Sequence, residues 1–363
     1  MMATIIDKKK DEQLTARSIE VIKDCCRPNG AIIAANTEHG SYPKDVQSYH
    51  YVWPRDAAYV CLALSYIGEF DAQARFFDWL SYRAEGMEKG MIFQNYHLNG
   101  RKRWTSYQPD QTGIILVALA NLIKSGHQKD NHIALARKLA DTIAADWEKN
   151  HFRHITQNLW ENEFAYPKLE QCFAYSAAIV ATGLAHISPL ISRDYSHVCK
   201  EMRMTAESAY SAHEGYHIRK TGIVADKRPD SSNLGLVWPT GVVGNCGAVD
   251  PIIKRLWTKN GLMRFEFDNY DSFRYEGTNA FRGAGAWPLL NFWAAIAYKK
   301  TGNDDKAAGF YSQGMMCADE KGCLPEQVFE NSIQSSVSPL AWSHAMQIIA
   351  RNTLEGHDMI RTT

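Results

Sequence analysis

The chain has 363 residues, enough for one large domain or two ordinary ones, each with a real hydrophobic core. Its 40 basic and 40 acidic residues cancel, so no basic surface argues for nucleic acid and no arginine-rich helix for a membrane face. The 14 Phe, 17 Tyr and 10 Trp make the chain rich in aromatic rings.

In chain order, residues 1–13 read as an N-terminal tail, charged through Asp7-Lys8-Lys9-Lys10-Asp11-Glu12 and without the apolar core of a leader peptide. Residues 57–67 are apolar almost all round, and residues 71–85 are amphipathic. The same pair of types recurs three more times, as 112–123 with 133–147, 174–187 with 194–214, and 286–298 with 303–316. In 133–147, Leu135, Leu139, Ile143 and Trp147 form one stripe, while Arg137, Lys138 and Asp141 face away. A helix apolar on every face must be buried on every face, whereas an amphipathic one covers a core. Ser338-Pro339 opens a last helix.

Strand signal is almost absent, and no segment offers about 18 uninterrupted apolar residues of the kind that spans a bilayer. Fully buried helices alternating with half-exposed ones predict an inner ring wrapped by an outer one. The expected fold is therefore all-α, an (α/α)6 barrel over residues 14–355 followed by a short tail, 356–363. An irregular helical bundle is the plain alternative.

Polar motifs cluster where the buried helices begin. Trp53-Pro54-Arg55-Asp56 precedes 57–67, Trp104 and Gln108-Pro109-Asp110-Gln111 precede 112–123, and Arg282-Gly283-Ala284-Gly285 precedes 286–298. If the inner helices run parallel, these loops meet at one end and form a cup. Asp56 suits acceptance of hydrogen bonds from vicinal hydroxyls, and Arg55 suits donation to an oxygen. Asp56 also reads simply as a first-turn acid favoured by the helix dipole. Arg274-Tyr275-Glu276-Gly277 places a further donor beside an aromatic ring.

Two loop carboxylates stand out, Glu161 after Leu159-Trp160 and Glu326 in Leu324-Pro325-Glu326-Gln327. Cleavage of a glycosidic bond needs such a pair, one to protonate the leaving oxygen and one to activate water or attack the sugar. Glu163 is a second candidate for the acid. Eight cysteines show no CxxC pair, and several lie in apolar helical runs, which fits reduced thiols in a cytoplasmic protein. No HExxH, calcium loop or glycine-rich phosphate cradle occurs, so no metal or cofactor is expected.

The chain resembles the catalytic domain of glycoside hydrolase family 15, the glucoamylase, glucodextranase and microbial trehalase family. The similar segments are 30–35, 51–57, 108–113, 159–161, 174–177, 274–277, and 326–327 with 338–345, in family order along nearly the whole chain. This resemblance implies an (α/α)6 barrel and an inverting, exo-acting hydrolysis of α-glucosides, with Glu161 as general acid and Glu326 as general base. It matches Arg55, Asp56 and Arg274 to residues that grip the terminal sugar, and Trp104 to a tryptophan beside the acid, with Trp160 bordering the same pocket. Trp53 is expected to line that pocket and bind substrate. Asn162 stands where many members carry a second acid that helps bind the leaving sugar. The expected partner is an α-glucan oligosaccharide or disaccharide, with no nucleic acid and no membrane; linkage preference and oligomeric state stay open. Trehalose is the alternative substrate. A carbohydrate sensor without activity and a phosphorylase are the competing classes, and retention of both glutamates argues against each.

Overall fold

A computed structural model describes residues 6–245, 247, 249–273, 283–331 and 334–359. The inner layer consists of α2 (Pro54–Tyr66), α4 (Pro109–Lys124), α6 (Ala174–Ile191), a 3-10 segment Ser231–Leu236, α9 (Pro288–Lys300) and α11 (Ala341–Leu354). Each packs against the next, and α11 returns to α2, so the ring closes. Outside it lie α3 (Phe70–Tyr82), α5 (Asp130–Ala145), α7 (Ser196–Ser208), α8 (Asp250–Leu256), α10 (Asp304–Met315) and α1 (Lys8–Cys25). The architecture is the expected (α/α)6 barrel.

Local chemistry explains where the inner helices begin. Pro54, Pro109 and Pro288 each occupy the first helical position, where the missing N–H is no loss and the fixed φ already suits the helix. From Pro54 to Ser65 every residue of α2 is buried. Helices α4 and α6 pack backbone against backbone. A Cβ on Gly113 would lie 2.7 Å from the Ile179 carbonyl, and one on Gly183 would lie 2.5 Å from the Gly113 oxygen. Helix α6 is also long and apolar enough to cross a membrane by composition, but 78% of it is buried inside the ring.

The fourth inner position departs from the helical rule. It is a short 3-10 turn, and Gly235 lets it approach the Tyr175 ring, which a Cβ would meet at 2.2 Å. Six residues cannot display a 3.6-residue period, which is why hydrophobic patterning does not reveal this segment.

Other expectations need correction. The N-terminal helix starts at Lys8, within the segment expected to be a tail. Asp7 caps it through Lys10 N, and buried Asp11 accepts from Tyr311 and pairs with Arg351. The helix expected over 194–214 stops at Ser208, where Tyr210–Ser211 and Tyr216–His217 form a hairpin that buries Tyr216. Hairpins also follow α5, at Trp147–Glu148 with His151–Phe152, and α8, at Trp257–Thr258 with Gly261–Leu262. A larger one, β1 (Phe93–Tyr96) with β2 (Lys102–Tyr107), precedes α4. These strands are too short for an alternating pattern to be read from sequence.

The middle of the barrel is filled. Tyr59, Trp238, Trp293, Trp342 and Tyr175 are all buried and touch one another. Tyr59 stacks on Trp342 at 5.1 Å and approaches Trp293 at 5.9 Å, and its hydroxyl hydrogen-bonds that of Tyr175 at 3.0 Å. Such rings bury large apolar area while their tilted contacts fix their orientation.

Candidate active site

Above this aromatic plug, at the starts of the inner helices, lies a cavity of about 690 Å³. Trp53, Arg55, Asp56, Trp104, Trp160, Glu161, Asn162 and Glu326 all line it, so residues expected to meet from distant loops do meet. Arg274 lies outside the described residues.

Arg55 is the hub. Its guanidinium donates from Nη2 to Glu161 Oε1 at 3.2 Å and from Nη1 to Gln108 Oε1 at 3.3 Å, and it lies over the Trp342 ring at 5.2 Å. It also faces Asp56 at 3.6 Å and Asp110 at 3.7 Å. One buried cation cannot neutralise three carboxylates, so burial wins. Asp56 is pushed up to about 7 and Asp110 to about 6, while the three acids hold Arg55 firmly charged.

An amide cage positions the hub. Gln111 accepts from Arg55 N at 2.9 Å and donates to Gln108 Oε1 at 2.7 Å, while Gln108 Nε2 donates to Gln157 Oε1 and to the Asn158 carbonyl. The Gln108 to Gln111 motif thus supports the site from beneath.

Glu161 sits on a strained backbone with φ of 64°, a conformation that costs a non-glycine residue about 1–3 kcal/mol and tends to occur at functional sites. Its carboxyl is held at both oxygens, by Arg55 on Oε1 and by Gln94 Nε2 on Oε2 at 2.6 Å. Trp160 beside it donates from Nε1 to Asp230 at 2.7 Å and lies against Trp287 and Trp342 at 5.7 and 6.2 Å. Glu163 turns away, bonded to Lys220 and Arg228 at 2.9 Å each, and is absent from the cavity wall. Of the two sequence candidates, only Glu161 faces the cavity.

Glu326 is buried, and burial pushes its carboxyl up to about 7 despite a hydrogen bond from the Tyr49 hydroxyl at 2.8 Å. Its loop is latched by His344, whose Nε2 accepts from Leu324 N at 2.9 Å while Nδ1 meets Ser18 Oγ at 2.9 Å. With Nε2 accepting, the proton sits on Nδ1. Burial drives this histidine down to about 3, so it is a neutral packing residue.

Several lining residues carry no sequence motif that marked them. Tyr49 and Gln94 each bind one of the two glutamates. Arg264 is clamped by Asp268 through bonds of 2.7 and 2.8 Å, and its guanidinium faces Trp287 at 4.9 Å and Tyr270 at 5.0 Å. The available signal was the four-residue spacing of Arg264 and Asp268 within an aromatic run. Among the described residues no cluster of His, Cys, Asp or Glu has the arrangement of a metal site.

Comparison with known proteins agrees with this geometry. Residues 9–96 match the family model of glycosyl hydrolases family 15. An uncharacterised glycosyl hydrolase of Methanocaldococcus jannaschii is 26% identical over 375 residues, covering 93% of this chain and 55% of that protein. A glucoamylase of a Clostridium species is 27% identical over 346 residues, covering 83% of this chain and 46% of its own. The chain thus spans about half the length of these curated relatives. Among solved structures, a glycosidase variant in complex with glucose superposes with a TM-score of 0.78 at 18% identity, over 97% of this chain and 99% of that one. A bacterial glucoamylase complexed with acarbose gives 0.69 at 22% identity, over 96% of this chain and 56% of that one. At these identities the structural likeness speaks for the fold, while the sequence matches make the chain similar to glycosyl hydrolases family 15, with the family model matched over residues 9–96.

Proposed function

We propose that this protein is an exo-acting, inverting α-glucoside hydrolase that releases glucose from the non-reducing ends of short α-gluco-oligosaccharides or disaccharides. The observation that carries the reading is the convergence of Glu161 and Glu326, from separate loops, on one cavity whose floor is closed by buried aromatic rings. A closed floor admits a chain only by its end, so the terminal sugar enters first. Arg55 and Asp56 face that sugar as donor and acceptor.

In this mechanism Glu161 gives its proton to the glycosidic oxygen as the C–O bond breaks. Glu326 takes a proton from a water whose oxygen joins the anomeric carbon on the opposite face. The charge developing on the sugar ring is met by the carboxylates around Arg55, and stabilisation counts only so far as it is stronger there than in the ground state. The described cysteines are all unpaired thiols, which supports a cytoplasmic setting.

Proton NMR of maltotriose during hydrolysis tests the proposal. β-Glucose should be the first anomer to appear. Release of α-glucose, or of mixed oligosaccharides from a longer chain at early times, would refute it. Parallel incubations with isomaltose and trehalose assign the linkage.

A further inference from the structure

We propose that the leaving-group side of this cavity is a rim of hydrogen-bond donors, Asn162 Nδ2 and Arg228 Nη1, that favours glucosides whose leaving moiety carries an anionic oxygen. The inference rests on the hydrolase reading above. An acid catalyst touches the leaving oxygen, so the wall that continues past Glu161, away from Arg55 and Asp56, faces the leaving moiety. Asn162 and Arg228 both belong to the cavity wall.

The polarity of Asn162 is decided by what lies behind it. Its Oδ1 receives Arg219 Nη2 at 2.5 Å and Asn158 Nδ2 at 2.9 Å. Arginine has only donors, so the amide oxygen must face it. Asn158 is fixed in turn, because its Oδ1 accepts from the backbone N–H groups of Asn162 and Glu163, both at 3.1 Å. Arg219 is itself buried and anchored to Asp230 at 2.8 Å. The amide therefore cannot flip, and Nδ2 is the end left without a partner among the described residues.

Arg228 shows the same design. Asp226 grips Nε and Nη2, at 3.0 and 2.7 Å, and Glu163 takes Nη2 at 2.9 Å. Nη1 has no partner among the described residues, and the side chain is 35% exposed. The carboxylates nearest this wall are occupied from behind: Glu163 and Asp226 hold Arg228, and Asp230 holds Arg219 and the Trp160 indole. A leaving group thus meets two fixed donors. A neutral hydroxyl satisfies them, but an anionic oxygen does so through the stronger, charge-assisted bond.

The test compares maltose with maltobionate, in which the leaving residue is gluconate. Wild-type kcat/KM should favour maltobionate by about fivefold or more, the difference between a neutral and a charge-assisted bond. Asn162→Asp keeps an acceptor for Arg219 and so keeps the fold, but puts a negative charge at the rim. It should lower the maltobionate-to-maltose ratio by about tenfold or more, and Arg228→Gln should also lower it. Salt should erode the ratio while leaving maltose turnover nearly constant. Calorimetric binding to Glu326→Gln reads the same preference without turnover. Equal wild-type rates for the two sugars, or a ratio unmoved by Asn162→Asp, would overturn the inference while leaving the hydrolase reading standing. If neither sugar is bound nor cleaved, both fall.

Discussion

The Tyr49 hydroxyl donates to Glu326 Oε1 at 2.8 Å and meets the Tyr270 hydroxyl at 2.5 Å, so a chain of two phenols ends on the candidate base. Burial raises the Glu326 carboxyl to about 7, and the Tyr49 bond opposes that rise by favouring the ionised form. A general base works only when ionised, so kcat/KM should climb with pH through about 7. In Tyr49→Phe the carboxyl loses its donor and the acidic limb should move up by about one pH unit, the equivalent of one charge-assisted bond. A pH–rate profile checks this. An acidic limb that stays in place, or moves down, contradicts the role given to Tyr49.

Replacing either glutamate should cost several orders of magnitude in kcat, but stability should change in different ways. Glu326 has a folded-state pKa above its unfolded value, so between about 4.5 and 7 the unfolded chain binds fewer protons and stability falls as pH rises. Glu326→Gln removes that cost. Its melting temperature should exceed the wild-type value at pH 8 and match it near pH 4. Scanning calorimetry at the two pH values makes the comparison, and a pH-independent difference would contradict buried ionisation as its cause.

The aromatic plug makes a prediction about substrate topology. A cavity lined by Trp342, with buried Tyr59 and Trp293 packed behind that ring, offers no exit for a chain threading through it. Cyclic α-glucans, which have no chain end, should therefore resist hydrolysis under conditions where linear maltohexaose is degraded. Chromatography of the two digests decides, and ring opening would show that the floor does not limit access.

Phe267 sits on the cavity wall with 81% of its surface exposed and φ of 65°. An exposed aromatic in the left-handed region is costly for the fold and well placed for stacking on a sugar. Phe267→Gly should relieve the backbone and stabilise the protein by about 1 kcal/mol, while raising KM. Denaturant melts and steady-state kinetics measure the two effects. Loss of stability in the glycine variant would contradict the strain.

Helix packing can be probed at Gly113 and Gly183. A methyl group at either would collide with backbone rather than with a movable side chain. Alanine at each position should cost at least about 1–3 kcal/mol, despite the better helix propensity of alanine. Urea titration gives the value, and a neutral result would mean that α4 and α6 slide apart without penalty.

Much of the barrel was legible because its signals are local. Buried helices such as α2 and α4 announce themselves by apolar residues on every face, and prolines at the first helical position mark where they begin. Trp160-Glu161 and Pro325-Glu326 stand out for the same reason, as short strings at helix junctions. What only the tertiary structure decided depends on contacts between remote segments. The ring closes through Ser231–Leu236, too short to show a period and fitted to Tyr175 by one glycine. Glu161 rather than Glu163 faces the cavity because Lys220 and Arg228 draw the latter away. Tyr49, Gln94 and Arg264 take their roles from neighbours far along the chain, and Asn162 acquires its polarity from Arg219 behind it. Periodicity and caps are written into adjacent residues, whereas charge balance, burial and the direction of a hydrogen bond exist only once distant parts of the chain have met.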